Sequence, residues 1–540
     1  MRIEYTPIHL FIKTADRNER AVLERWHNAV DTKKGWRLPH HVWAMRDLAR
    51  TFPELKSDPE FINKGIALAG EMADLLRWRR EAALHDNFRT GLRGYQADDA
   101  AYLSQLTAAG IFNAPRTGKT PTAIATMRAI DGSRNLVIAP ASLIWNWEKE
   151  VRQWWPTAYV MVYTSGKNKM PPTEFAQQSG CNVVIVSRDL LKTKLSLFDD
   201  FRWDTCFVDE AHFLRNYKSA QSEAVYAVIA DRRYAMTGTP TVNHPDNIFG
   251  ILKFLQPKLY TSYWQFVGRY FEVGTDWMGH NVVGRLKPHR EKELKELVGM
   301  KSVQRDRKEV MPWLPVKQYS TLTLQMDGKQ LKLYKEMADT FVASDGVSGL
   351  EVDTSSIITQ LMRLRQLCID PRVLGFDSRG VKTDAILEYL ESHRKPVVVM
   401  SFFTSYLKLL KPDIEKLGLK VGDINGGMSS KEKQETASAF QAGEYDVLLC
   451  NTVSAGTGFT LDRAETVIFM DKPFTPAECE QAEDRVCPVS EDRNHKHEVL
   501  TLTCKDSADE RINKILENKL SLTAYINKGG REAIRALLMG

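Results

Sequence analysis

Residues 113–121 read NAPRTGKTP. Gly118, Lys119 and Thr120 stand just before a helical stretch predicted at Thr122–Arg128. These residue types can surround phosphate oxygens. A small residue lets backbone N–H groups close in, a lysine neutralises the β- and γ-phosphates, and a threonine hydroxyl can sit on Mg²⁺. Arg116 and Thr117 make the loop polar and tight. A strict glycine-rich loop has glycine six residues before the lysine; here that position is Asn113. Ile111–Phe112 in front predicts a strand end. Further along, CFVDEAH at 206–212 predicts an apolar strand ending in Asp209, Glu210 and His212. Asp209 is suited to a magnesium shell shared with Thr120. Glu210 is suited to orient or deprotonate an attacking water, and His212 to link the site to a neighbouring element. A strand that merely ended in a polar turn would leave the preceding loop unexplained. The pair therefore predicts hydrolysis of a nucleotide with Mg²⁺.

Such loops need a sheet to hold them. Leu136–Ala139, Val183–Val186, Cys206–Val208 and Tyr234–Thr237 are short apolar runs separated by helical stretches. That grammar predicts an α/β lobe of mostly parallel sheet with helices on both faces. It returns at Pro396–Ser401, Tyr445–Cys450 and Thr466–Asp471. The expected fold is α/β with two tandem parallel-sheet lobes, a small N-terminal domain and a helix-rich linker. The expected divisions are 1–88 (accessory), 89–257 (first lobe), 258–380 (linker), 381–505 (second lobe) and 506–540 (helical brace). Ile357, Leu361, Leu364 and Leu367 predict an amphipathic helix in the linker, and SDGVSG at 344–349 a loop. Ile512 and Leu516 give the brace a face able to pack back on the second lobe. The N-terminal stretch alternates at Arg2–Glu4 and Ile8–Phe11, then turns helical through Ile62, Ile66, Leu68, Met72, Leu75 and Leu76. Its Trp26, Trp36, Trp43 and Trp78 fit either core packing or a module presenting aromatics and bases to nucleic acid.

A length of 540 residues suggests three or four domains, and 43% hydrophobic residues suffices for real cores. Disulfide mini-scaffolds, collagens and wholly disordered chains are excluded. No apolar run reaches the length of a membrane span, and no secretory signal is evident, so no membrane role is expected. Seven cysteines without a CxxC pair point to free thiols in a reducing compartment. A net charge of +6 permits an anionic polymer partner without demanding one.

The ordered segments together resemble the Snf2 group of superfamily 2 helicases and translocases. They are LRGYQ (92–96), LVIAPASLIWNWEKEV (136–151), VDEAHFLRNYKS (208–219), AMTGTPTVN (235–243), VQRDRKEVMPWLP (303–315), LRQLCIDP (364–371), SFFTSY (401–406), NTVSAGTGFTLDRAETVIFMD (451–471) and PAECEQAEDR (476–485). The resemblance implies two RecA-like lobes with ATP between them and a motor acting on DNA. It puts Gln96 at the adenine and Gly456 among the nucleotide contacts. Gln481 and Arg485 come from the second lobe, Arg485 as the cation closing on the transferred phosphate. Ser142, Arg188, Thr237, Thr239, Arg305, Arg307 and Thr452 are the candidates to grip DNA phosphates.

One departure concerns the arginine that normally follows Arg485 by three residues: Pro488 occupies that position. Either Arg485 suffices, or Arg493 or Lys496 swings in, or the ATPase is weak. GWRLP at 35–39 followed by Trp43 resembles the small module that precedes the motor in fork-remodelling relatives, and the compact whole is similar to branch-migration helicases of tailed bacteriophages. The expectation is a monomer that remodels forked or four-way DNA in the cytoplasm of a bacterial host. The alternatives are a duplex translocase that strips proteins and a DNA-binding regulator with a relic ATP site.

Overall fold

The computed structural model describes residues 2–6, 9–14, 16–24, 30–32, 35–82, 91–164, 170–241, 245–275, 279, 281–314, 317–340, 342–344, 351–353, 357–452, 461–486 and 497–517. The chain divides into two compact units, Met1–Val310 and Met311–Gly540.

The first unit is built on a seven-stranded, all-parallel sheet. Its order is Ser302–Val303, Ala108–Ile111, Ile229–Met236, Arg202–Val208, Arg134–Ala139, Asn182–Ser187, Tyr159–Tyr163. Central parallel strands with helices on both faces are buried on both, which is why the predicted strands read as unbroken apolar runs. All six residues of Asn182–Ser187 are buried. In register, Phe207 faces Tyr234, and their rings stack with centroids 4.4 Å apart. The helix after Ile111 spans Lys119–Ile130, longer than predicted because Thr122, Ala123, Ile124 and Met127 pack inward.

Ahead of this lobe lies a four-stranded antiparallel sheet, Arg2–Tyr5, His9–Lys13, Gly35–Pro39, Val30–Thr32, with helices Arg17–Glu24, Val42–Thr51 and Pro59–Glu81. Leu10, Ile12, Leu38, Met45, Leu48 and Phe52 form its core. Of its tryptophans, half-buried Trp36 packs against this core, Trp43 is half-buried and Trp78 is exposed, while Trp26 lies outside the described residues. A buried ionic cluster ties this module to the helices Tyr263–Tyr270 and Pro288–Met300. Arg269 reaches Asp47 at 3.1 Å and Glu293 at 2.6 Å, and Arg290 reaches the same two carboxylates at 2.7 and 2.9 Å. Four-way pairing offsets the desolvation cost that would make a lone buried charge unaffordable.

The second unit carries a six-stranded, all-parallel sheet in the order Lys317–Leu324, His497–Cys504, Thr466–Phe469, Val397–Ser401, Val447–Asn451, Val421–Ile424. Two parallel-sheet lobes with flanking helices are therefore present, as tandem RecA-like lobes require. The helix Ile357–Ile369 buries Leu361, Leu364 and Leu367, and Ile512 and Leu516 of the helix Ala508–Glu517 join the same cluster. Ser344 ends a short strand, Val342–Ser344; residues 345–349 of the predicted loop lie outside the described residues. Among the described residues, cysteines 181, 206, 368, 450, 479 and 504 are free, and no helix is long and apolar enough to cross a membrane.

Candidate active site and nucleic-acid interface

Three neighbouring strands of the first sheet, Ala108–Ile111, Ile229–Met236 and Arg202–Val208, end at the same edge. The loops leaving them carry the phosphate segment, TGTP at 237–240 and DEAH at 209–212. A parallel sheet thus brings residues far apart in sequence to one rim, where such folds bind ligands.

The phosphate segment is held from below. Lys119 donates from Nζ to the carbonyls of Asn113 at 3.1 Å and Ala114 at 3.3 Å. Arg116 has φ 64° and Gly118 φ 79°, so the backbone turns through the left-handed region twice within three residues. Glycine does this without cost, whereas a non-glycine residue stores about 1–3 kcal/mol. Space around Gly118 is also short: a β-carbon there would collide with the side-chain amide of Gln96 and push it off its partner. Gln96 is buried and donates to Thr117 O at 3.0 Å, and Tyr95 donates its hydroxyl to the same oxygen at 2.6 Å. Thr120 is the second residue of the helix, with its first-turn N–H groups facing the cradle.

The missing glycine has a structural reason. Asn113 is fully buried and its side chain donates to Asp99 Oδ2 at 2.9 Å. Arg305 donates to the other oxygen of Asp99 at 3.0 and 2.7 Å, and its backbone carbonyl accepts Ala114 N–H at 3.0 Å. Asn113 is therefore a bracket under the loop. Arg305, predicted to grip DNA, sits in this bracket, and Arg307 opens the next helix, Arg307–Val310.

Asp209 is buried at the strand end. Its Oδ1 accepts Glu210 N–H at 2.8 Å and its Oδ2 accepts the indole N–H of Trp147 at 2.9 Å. Burial, and next the charge of Glu210, push its pKa up to about 6 against the opposing pull of Trp147, the Glu210 N–H and Lys119. Glu210 itself has φ 48°. Its Oε2 lies 3.2 Å from His212 Nδ1, and the Thr237 hydroxyl is 3.5 Å from the same nitrogen. Thr237 is buried and its hydroxyl accepts Thr239 N–H at 3.1 Å. His212 thus connects the DEAH turn to the TGTP turn. A β-carbon on Gly238 would stand 3.0 Å from Pro115, so the TGTP turn packs against the phosphate loop as well.

Ser142 and Arg188 leave the same rim one and two strands further on. Ser142 is half-exposed in the turn before the helix Ile144–Trp154, and Arg188 opens the helix Arg188–Thr193 with its guanidinium 5.0 Å from the Phe213 ring. In the second unit, Gln481 and Arg485 are half-exposed on the helix Pro476–Val486. Lys317 anchors that helix, reaching Glu483 at 2.7 Å and Asp484 at 2.9 Å. Thr452 is buried after the strand Val447–Asn451. Gly456, Pro488, Arg493 and Lys496 lie outside the described residues.

The donor set suits a nucleotide with Mg²⁺. Among the described residues no cluster of three or more His, Cys, Asp or Glu could hold a metal. Magnesium bound to a nucleotide needs none, taking one or two protein oxygens and completing its shell with phosphates and water. Asp209 and Thr120 supply such oxygens. Trp147, Asp99, Asn113 and Lys317 were not picked out as site residues by motif reasoning. WNW at 145–147 signals an aromatic cluster but not its acceptor.

Two family models match the chain. Residues 31–373 match the SNF2-related domain and residues 381–487 the helicase conserved C-terminal domain. YwqA of Bacillus subtilis (strain 168) is 26% identical over 405 residues, spanning 73% of this chain and 43% of its own. Mouse chromodomain-helicase-DNA-binding protein 1-like is 25% identical over 439 residues, spanning 76% and 47%. The SWI2/SNF2 ATPase core of Sulfolobus solfataricus, solved in complex with dsDNA, is 22% identical across 83% of this chain and 95% of that one, with a TM-score of 0.38. The chain spans less than half the length of these two curated relatives.

Proposed function

The chain belongs to the SNF2-related domain family, and on that footing we propose that it is an ATP-dependent DNA translocase that remodels forked or branched DNA. The observation that carries the reading is the shared rim: phosphate loop, DEAH turn and TGTP turn leave three adjacent parallel strands, with His212 connecting the last two.

The residues divide the work. Backbone N–H groups from Gly118 onward receive phosphate oxygens, and Lys119 exchanges its carbonyl partners for the β- and γ-phosphates. Gln96, already clamped to the loop, stands beside the nucleotide base. Asp209 and Thr120 hold Mg²⁺, which when bound neutralises phosphate charge. Glu210 accepts a proton from the attacking water, and His212 reports the state of Glu210 to the TGTP turn. In the second unit, Arg485, with Gln481 one turn before it on the same helix, is the guanidinium suited to spread developing phosphate charge. Ser142, Arg188 and Thr239 offer contacts along a DNA backbone. The preference for branches is carried by the N-terminal module, whose sheet includes Gly35–Pro39, the segment resembling that of fork-remodelling and tailed-phage branch-migration enzymes.

The test is ATP turnover with no DNA, single strands, duplex, forks and four-way junctions. DNA should stimulate turnover, most with a branch. Lys119→Ala should lower it about 10²–10³-fold. Equal turnover under all conditions would refute the coupled motor. Duplex stimulating as well as a junction would favour a translocase that does not separate strands.

A further inference from the structure

We propose that Trp147 is a positioning residue that fixes Asp209 and transmits DNA engagement to it. This rests on the ATPase and DNA reading above and names a route by which DNA regulates that site.

The helix Ile144–Trp154 follows directly on the turn Pro140–Leu143, closed by Leu143 N–H to Pro140 O at 2.9 Å. The turn offers Ala141 and half-exposed Ser142, and the outward side of the helix offers Trp145, which is 41% exposed. An exposed indole beside a hydroxyl suits a nucleic-acid backbone and the flat face of a base or sugar. Two residues on, about 200° around the helix, Trp147 turns inward. It is 1% exposed and packs in a cluster with Val137, Val183 and Phe207. A buried indole N–H needs an acceptor. Here the acceptor is Asp209 Oδ2, at 2.9 Å.

The first helical turn thus carries an exposed indole, Trp145, and a buried bond to the magnesium ligand, with Ser142 in the turn that leads into it. A helical turn moves as a body, so load on Trp145, and on Ser142 through the Leu143 cap, displaces the Trp147 indole. The Asp209 carboxylate is fixed by one hydrogen bond on each oxygen, from Glu210 N–H and from Trp147. Without the indole, only the Glu210 side of that pair remains. Partners of metal ligands commonly change metal affinity or activity by about 10–100-fold when removed. Apolar packing alone would be met by phenylalanine.

Trp147→Phe keeps a buried ring and removes the donor. Mn²⁺ binding to the full chain with ADP, read by electron paramagnetic resonance with and without a four-way junction, is the measurement. The variant should bind Mn²⁺ about 10–100-fold more weakly, and the tightening that junction DNA brings to the wild type should disappear. Trp147→Leu removes both donor and ring: its Mn²⁺ affinity should match that of Trp147→Phe while its melting temperature falls further. A Trp147→Phe protein with wild-type Mn²⁺ affinity, or one that keeps the full DNA effect, overturns the assignment even when turnover is DNA-stimulated. A wild type whose turnover ignores DNA overturns the proposed function and the coupling with it. The Mn²⁺ arm without DNA then decides by itself whether Trp147 positions Asp209.

Discussion

Asn113 donates its side-chain amide to Asp99 at 2.9 Å, and that bond explains why the phosphate loop does without its first glycine. The loop of a glycine-rich motif is shaped by absent side chains. This one is shaped by a side chain that leaves the cradle and locks beneath it. Burial pushes the Asp99 pKa up, while the hydrogen bonds from Arg305 and Asn113 pull it back. The carboxylate therefore depends on Arg305. Arg305→Gln should destabilise the protein by about 2–4 kcal/mol, since it leaves a buried carboxylate with one neutral partner. Denaturant unfolding measures this. The loss should shrink as pH falls and Asp99 becomes protonated. An equal loss at all pH values would show that Arg305 acts through packing alone.

Gly118 faces two constraints that can be separated. Its φ of 79° disfavours any side chain, and a β-carbon would collide with Gln96 Nε2. Gly118→Ala should weaken ATP binding at least tenfold through both. Adding Gln96→Ala removes the collision but keeps the backbone penalty of about 1–2 kcal/mol; because Gln96 also serves the base, stability rather than ATP affinity separates the two. Gly118→Ala should lower the melting temperature less in a Gln96→Ala background than in the wild type. Thermal melts of the four proteins without nucleotide would expose the difference, and an equal loss in both backgrounds would mean that the backbone penalty dominates.

Lys317 is the cation that keeps the Arg485 helix on its sheet. Burial alone would lower its pKa, but the charges of Asp484 and Glu483 outweigh that and raise it. Lys317→Ala leaves two buried carboxylates without this partner and should cost the second unit about 3–5 kcal/mol. Lys317→Arg should recover most of it. In thermal melts a loss below about 1 kcal/mol would mean that the carboxylates find other partners.

What the sequence makes legible here is chemistry with a fixed local spacing. Phosphate binding demands Gly118, Lys119 and Thr120 in succession, and a buried parallel strand must be apolar throughout, so the NVVIVS strand is evident from its own residues. What it hides is pairing across distance. The parallel strands Lys317–Leu324 and His497–Cys504 align Lys317 with His497, and neither carries an unbroken apolar run. The edge strand Tyr159–Tyr163 is only half-buried and gives a weak signal. Arg305 reads as a surface cation because Asp99 lies some 200 residues earlier. Trp147 carries no role in the sequence reading because nothing local indicates that its N–H meets Asp209.

Asp209 should make nucleotide-free protein pH-sensitive in a direction that Mg²⁺·ATP reverses. Its folded pKa, pushed up to about 6, is above the ordinary carboxylate value of 3.8. The folded state therefore holds a proton that the unfolded state has released in that interval, and stability falls as pH rises from about 4 through 6. Above that window the ionised, buried carboxylate burdens the empty protein. Metal needs that same ionised form, so a proton and Mg²⁺ compete: metal affinity should fall about tenfold per pH unit below 6. Melting temperature without ligand should then decline from pH 5 to 7 in the wild type and be flatter in Asp209→Asn, whose side chain does not titrate. The stabilisation that Mg²⁺·ATP gives should grow across the same interval. A wild type and an Asp209→Asn variant with parallel melting curves across this range would place the ionisation elsewhere.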